Sequence, residues 1–195
     1  MRKLNGKFLK YNIAIFISGR GSNLQSIINY SLKNKTKYNV KIVISNKQKA
    51  KGLSIAKKNG IKNYFMNFTK SRKLGNLVLN DLKKNKIKLV CLAGFMRILP
   101  DYFIKSYNGK IINIHPSLLP KYKGLNTHKR VIKNKEKFTG CTVHYVNKYL
   151  DSGRIISQKK IKINSKDTEK TIEKKVLRIE HKMYPLTINK ILTNL

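Results

Sequence analysis

The feature that most restricts this chain is a regular change in the period of its apolar residues. Residues 11–18 and 39–45 are short β-branched runs, and between them Leu24, Ile27, Ile28 and Leu32 recur at helical spacing across 23–32. That reads as strand, helix, strand. A second helix is predicted over 50–59, where Gly60 supplies a C-terminal stop, followed by a strand over 61–66. Residues 71–84 read as a helix and 86–93 as a buried strand. Such alternation predicts an α/β fold with a mainly parallel central sheet and helices on both faces. Beyond Pro100 a short helix leads into a strand at 110–114, after which the period changes. Residues 138–147 and 154–163 both alternate and are joined through Asp151, Ser152 and Gly153, which predicts an antiparallel strand pair. From 167 onward Ile172, Val176, Ile179 and Met183 return to helical spacing, with Glu169 in the first turn. Pro185 is expected to kink or interrupt that closing helix.

No repeat and no Pro- or Ser-rich linker divides the 195 residues, so 1–195 is expected to form a single domain, with 1–10 a short basic N-terminal extension. No apolar run approaches the roughly 20 residues needed to cross a bilayer, and 13–17 is shorter than the h-region of a secretory signal. Cys91 and Cys141 form no CxxC pair and no Cys/His grouping of metal-ligand spacing. A cytoplasmic location, with no membrane and no metal, is therefore expected. The formal charge of +36 suggests nucleic-acid binding by counterion release. However, the excess is lysine, 37 against 7 arginines, and it is spread along the chain instead of gathered into one tract. With 21 asparagines and only 8 acidic residues, the pattern is what AT-rich codons produce, and no specific nucleic-acid partner is expected. Each retained carboxylate gains interest, and the positive field should draw anionic substrates inward.

Four segments carry candidate chemistry. SGRGSN, at 18–23, lies between the first strand and first helix, where glycines permit a tight bend and the N–H groups of Gly21, Ser22 and Asn23 would face an anion in front of the helix dipole. An ordinary turn with Ser22 as N-cap explains it equally well. NIHPSLLPKYKG, at 113–124, opens at a strand's carboxyl end, and Asn113 and His115, two apart, point to the same side. His128 and His144 are expected to be satisfied core residues. AGFMRILP, at 93–100, places Met96, Ile98 and Leu99 beside Arg97: either core with a snorkelling arginine, or a flat apolar wall for an aromatic heterocycle. Asp151, in LDSG, is one of four aspartates, and turn chemistry alone could account for it.

Taken together, ISGRGSNLQSII, LAGFMRILP, NIHPSLLPKYKG, GCTVHYV with LDSG, and EHKMYP resemble the folate-dependent phosphoribosylglycinamide formyltransferases from Ile13 to about Ile191. The resemblance implies a single-domain, Rossmann-like formyltransferase fold. It also implies transfer of a formyl group from 10-formyltetrahydrofolate, as co-substrate, to the amine of 5′-phosphoribosylglycinamide in purine biosynthesis. The amine would attack directly through a tetrahedral intermediate, with no metal. Residue by residue, it makes Asn113, His115 and Asp151 the catalytic trio and Cys141 a bystander. Gly21, Ser22, Asn23 and Glu180 would bind the ribonucleotide. Arg72, Met96, Arg97, Ile98, Leu99, Asn113, Asn147, Leu150 and Asp151 would hold the folate. It further implies a cis bond at Leu119 and Pro120. Because free histidine has a pKa of about 6.5 and a nearby carboxylate favours the charged ring, Asp151 is expected to keep His115 charged near neutral pH. A monomer or homodimer is expected. The methionyl-tRNA formyltransferases share the NIH and SLLP core and are the alternative, with a basic nucleic-acid-binding module the more distant one; length and SGRGSN favour the purine enzyme.

Overall fold

In the computed structural model, which describes residues 3–4, 7–8 and 10–194, one seven-stranded sheet organises the chain. Its strands are β1 (Tyr11–Ile17), β2 (Tyr38–Ser45), β3 (Lys62–Phe65), β4 (Ile87–Leu92), β5 (Lys110–His115), β6 (Phe138–Tyr145) and β7 (Ile155–Lys162). They lie in the order β3, β2, β1, β4, β5, β6, β7. The first five run parallel; β6 is antiparallel to β5 and to β7, so the expected strand pair closes one edge. Within the expected basic extension, Lys3–Leu4 pairs antiparallel with Lys7–Phe8, and the rest of 1–9 lies outside the described residues.

The connecting helices are α1 (Ser22–Ser31), α2 (Lys51–Lys58), α3 (Arg72–Lys84), α4 (Asp101–Ser106), α5 (Thr127–Lys133) and α6 (Glu169–Thr193). Alternation along β1 divides the core into two layers. Ile13, Ile15 and Ile17 face one side with Leu24, Ile27 and Ile28 of α1, Ala56 of α2, and Tyr184 and Ile188 of α6. Ala14 and Phe16 face the other with Val78 and Leu82 of α3 and Phe103 of α4. Helices therefore cover both faces. The three α1 side chains, buried to 1% exposure or less, each contribute about 1.5–3 kcal/mol by leaving water. Two expectations fail locally. The N-cap of α1 is Gly21, not Ser22, because the left-handed turn at φ 79° uses the residue without a Cβ. And Pro185 does not interrupt α6, which continues through it for 25 residues: its first turn is secured by a Thr168–Thr171 capping box, and Pro185 itself is buried, so packing outweighs the lost N–H.

Candidate active site

Because β1, β4 and β5 are parallel neighbours, their carboxyl ends open at one edge of the sheet. The chain also reverses its order of travel between β1 and β4, the position at which α/β sheets leave a crevice. Three of the four sequence segments leave from these strand ends. Ser18 ties the first two together: its N–H donates to the Gly94 carbonyl at 3.0 Å, and its hydroxyl accepts from the Met96 N–H at 2.7 Å while donating to Asn46 Oδ1 at 2.5 Å.

Asn113 and His115 come from one face of β5, and Asp151 from the β6–β7 turn. That turn is tight: a Cβ on Gly153 would stand 1.7 Å from the Tyr145 carbonyl oxygen, and Asp151 adopts a left-handed φ of 45°. The reversal returns the Asp151 carboxylate to β5. Its Oδ2 accepts from the Gly124 N–H at 2.9 Å and lies 3.3 Å from His115 Nδ1, while Asn113 Nδ2 reaches Oδ1 at 3.5 Å. The expected trio thus meets in one place. A fourth member joins it. His144, directly opposite Asn113 in the β5–β6 pairing, donates from Nδ1 to the Tyr145 carbonyl at 2.8 Å, and its Nε2 lies 3.2 Å from Asn113 Nδ2. The same His144 nitrogen is 3.6 Å from Asp151 Oδ1. His144 is the satisfied, buried residue that was expected, and it also lines the slot beside the trio. The alternation in TVHYV already put Thr142 and His144 on one face; the missing information was which strand β6 pairs with. His128, in contrast, is not a satisfied core residue, since its buried Nδ1 has no hydrogen-bond partner among the described residues.

A cleft of about 670 Å³ exposes Asn113, His115 and Asp151 between Gly94, Met96, Arg97 and Ile98 on one side and Leu125, Thr127 and Leu150 on the other. A slot of about 70 Å³ continues from it between Leu92, Leu99, Val146, Asn147 and Leu150, reaching Asn113, His144 and Asp151. Met96 and Ile98 are exposed, at 58% and 62%, whereas Leu99, at 3%, belongs to the core and forms only the back of the slot. Cleft and slot together, with apolar walls beside convergent polar groups, have the size and lining of a small-molecule site. Arg72 stands apart: it is exposed on the first turn of α3, its guanidinium 5.3 Å from the Tyr102 ring centroid, and it lines neither space.

Burial pushes the His115 ring below the usual histidine value, against the opposing pull of the Tyr122 carbonyl and the Asp151 carboxylate. The expectation that Asp151 keeps this ring charged near neutral pH is therefore corrected, because desolvation wins. Burial also disfavours charge on Asp151, but the His144 ring, the Gly124 N–H and the His115 ring together outweigh it and hold the carboxyl below its usual value. At neutral pH the resting site pairs a neutral imidazole with a carboxylate. Cys141 is buried, its thiol pushed up to about 12 by desolvation, which suits an inert core residue.

Around the first loop, Gly21 packs so closely on α2 that an added Cβ would lie 2.7 Å from Gly52 Cα. Asn23 turns inward, its Nδ2 donating to Glu180 Oε2 at 2.7 Å, and its buried Oδ1 has no partner among the described residues. Glu180, 6% exposed, has its carboxyl pushed up to about 7 by burial, partly offset by Asn23. Gly21, Asn23 and Glu180 therefore form a cluster of their own that lines neither the cleft nor the slot. A further recess of about 660 Å³, beside Ile87 at the amino-terminal edge of the sheet, contains none of the expected residues. No group of three or more His, Cys, Asp or Glu among the described residues is arranged to hold a metal ion, and no described helix is long and apolar enough to cross a membrane. As the resemblance implied, the Leu119–Pro120 bond is cis.

Comparison with known proteins identifies the family. Residues 11–188 match the formyl transferase family. The phosphoribosylglycinamide formyltransferase of Escherichia coli is 41% identical over 181 residues, covering 91% of this chain and 85% of that protein. The bovine trifunctional purine biosynthetic protein adenosine-3 is also 41% identical, over 90% of this chain, but the chain spans only 18% of its length. Among solved structures, glycinamide ribonucleotide transformylase 1 from Symbiobacterium toebii superposes with a TM-score of 0.91 at 32% identity, over 99% of this chain and 92% of that one. With a family match over nearly its whole length and relatives of its own size, the chain belongs to the phosphoribosylglycinamide formyltransferase family of formyl transferases.

Proposed function

We propose that this chain transfers a formyl group from 10-formyltetrahydrofolate to the amine of 5′-phosphoribosylglycinamide, in the cytoplasm, by direct attack. The observation that carries this reading is the meeting of Asn113, His115 and Asp151 in one cleft that continues into an apolar-walled slot. The loop at 21–23, with Glu180, would take the phosphoribosyl part, its N–H groups facing an anion along the dipole of α1. Met96, Arg97, Ile98, Leu99, Asn147 and Leu150 would hold the folate, which supplies the activated formyl carbon.

The chain's own groups then divide the work. As the amine nitrogen bonds to the formyl carbon, charge collects on the formyl oxygen. Asn113 has an amide hydrogen to offer it, because its 3.5 Å contact with Asp151 is weak, and a preorganised donor of this kind is worth about 3–4 kcal/mol. Neutral His115 takes the proton lost by the amine at Nδ1, since Nε2 is committed to the Tyr122 carbonyl. Asp151, 3.3 Å away, stabilises the imidazolium so formed. The ring then returns the proton to the folate nitrogen as the carbon–nitrogen bond breaks. The test is to mix the purified protein with 10-formyltetrahydrofolate and the ribonucleotide and to follow release of tetrahydrofolate. Charged initiator tRNA serves as the competing acceptor. Transfer to the tRNA alone would overturn the reading.

A further inference from the structure

The residue that orients His115 lies outside the cleft. His115 Nε2 donates to the Tyr122 carbonyl at 2.9 Å, while Nδ1 faces Asp151 Oδ2 at 3.3 Å. A neutral ring has a single proton for these two acceptors, so the closer, better-held one decides which nitrogen carries it. Tyr122 presents its carbonyl from a left-handed φ of 57°, a conformation that costs a bulky residue about 1–2 kcal/mol and persists only where its surroundings impose it. Those surroundings form a clamp on the ring. The Tyr122 hydroxyl donates to Glu136 Oε1 at 2.9 Å and accepts from Asn134 Nδ2 at 2.9 Å. The Arg130 guanidinium lies 5.2 Å from the ring centroid and donates to the Lys123 carbonyl at 2.6 Å. Lys121 meets the same Glu136 oxygen at 3.0 Å. Neither Tyr122 nor any side chain of this clamp lines the cleft.

We propose that Tyr122, held by Glu136, is a positioning residue whose carbonyl fixes the Nε2–H tautomer of His115 and so reserves Nδ1 as the nitrogen that accepts the proton of the attacking amine. Loosening the clamp lets the proton move to Nδ1, where Asp151 binds it, and the site loses its base. The charged and titratable groups acting on His115 are Asp151, His144 and Arg130, with His128 coupled to it from α5. Substitutions at Tyr122 and Glu136 leave all four in place.

This inference rests on the role given to His115 above, and the ring nitrogens report on it independently of turnover. Nitrogen-15 spectra of the histidine rings are recorded across pH for the parent, Tyr122→Phe, Glu136→Ala and Glu136→Gln, alongside formyl-transfer kinetics. The parent should show His115 as Nε2–H. Tyr122→Phe and Glu136→Ala should populate Nδ1–H, lower kcat on the order of tenfold with KM unchanged, and shift the acid limb of kcat/KM to lower pH, because the charged ring loses an acceptor. Glu136→Gln, which keeps an oxygen for the hydroxyl, should recover most of the loss. A parent already in the Nδ1–H form, or variants with unaltered ring nitrogens and pH profile, overturns the proposal. A parent with the Nε2–H ring and no formyl transfer would instead count against the proposed function.

Discussion

Glu180 shows how far one buried carboxyl can set the pH response of the fold. Its folded pKa of about 7 exceeds the ordinary value of 4.5, so between these limits the native chain holds a proton that the unfolded chain has released. Stability should fall as pH rises through that window, by up to about 3 kcal/mol. Glu180→Gln keeps an acceptor for Asn23 and removes the titration; it should gain most over the parent at about pH 8 and little near about pH 4. Urea unfolding at both pH values checks this, and an equal difference at the two would remove Glu180 as the cause. Asp151 makes the opposite case, being held below its usual value and buried against two rings. Asp151→Asn should fold normally yet lose about a hundredfold or more in turnover, since Asn cannot stabilise an imidazolium. Near-normal turnover would separate Asp151 from the reaction. Because His115 must start neutral and burial lowers its pKa, the acid limb that His115 contributes to kcat/KM should lie at a pH below about 6.5.

At the scale of elements, the parts with strong periodicity were readable and the parts decided by pairing were not. Leu24, Ile27 and Ile28 announce α1, and the β-branched run 39–45 announces β2, because each satisfies one period over enough residues to exclude the other. The helix α5 gave no such signal: over seven residues only Val131 and Ile132 are apolar, too few to mark a face. The place of His144 beside Asn113 and Asp151 is hidden for a related reason, since it depends on β6 lying beside β5, a long-range choice that no local pattern encodes. Glycines with positive φ were legible as turns, yet not the contacts they permit. Gly21 and Gly60 show the difference, with φ of 79° and 65°: a Cβ at Gly21 meets Gly52 Cα, and one at Gly60 meets nothing within 4 Å. Gly60→Ala should therefore cost only the backbone strain, about 1 kcal/mol, and Gly21→Ala about 2 kcal/mol or more, because α2 must also move. Thermal unfolding of the two variants measures the gap, and equal losses would show that the packing of the first loop on α2 is slack.

For the molecule as a whole, parallel order and charge act together. The strand order gathers the loops after β1, β4 and β5 at one edge, and the packing of α6 on α1 brings residues more than a hundred positions apart in sequence, Asn23 and Glu180, within 2.7 Å. The whole chain carries +36, spread along its length, and nearly all of it is lysine whose ion pairs, such as Lys121 with Glu136, are solvent-exposed and weak. A charge of this size adds little to the fold but sets up a field that an anion meets before it reaches the cleft. The screening length is about 10 Å at 0.1 M salt, so the field is confined to the surface under ordinary conditions and extends outward at lower salt. A phosphorylated amine should accordingly be captured faster at low ionic strength, while the chemistry among Asn113, His115 and Asp151, buried and close together, stays as it was. Between about 50 mM and about 300 mM salt, KM for the ribonucleotide should rise roughly threefold or more with kcat unchanged. Initial rates over that range decide the matter: a KM indifferent to salt would mean that the lysines take no part in substrate capture, and a falling kcat would mean that the charge reaches the reacting groups.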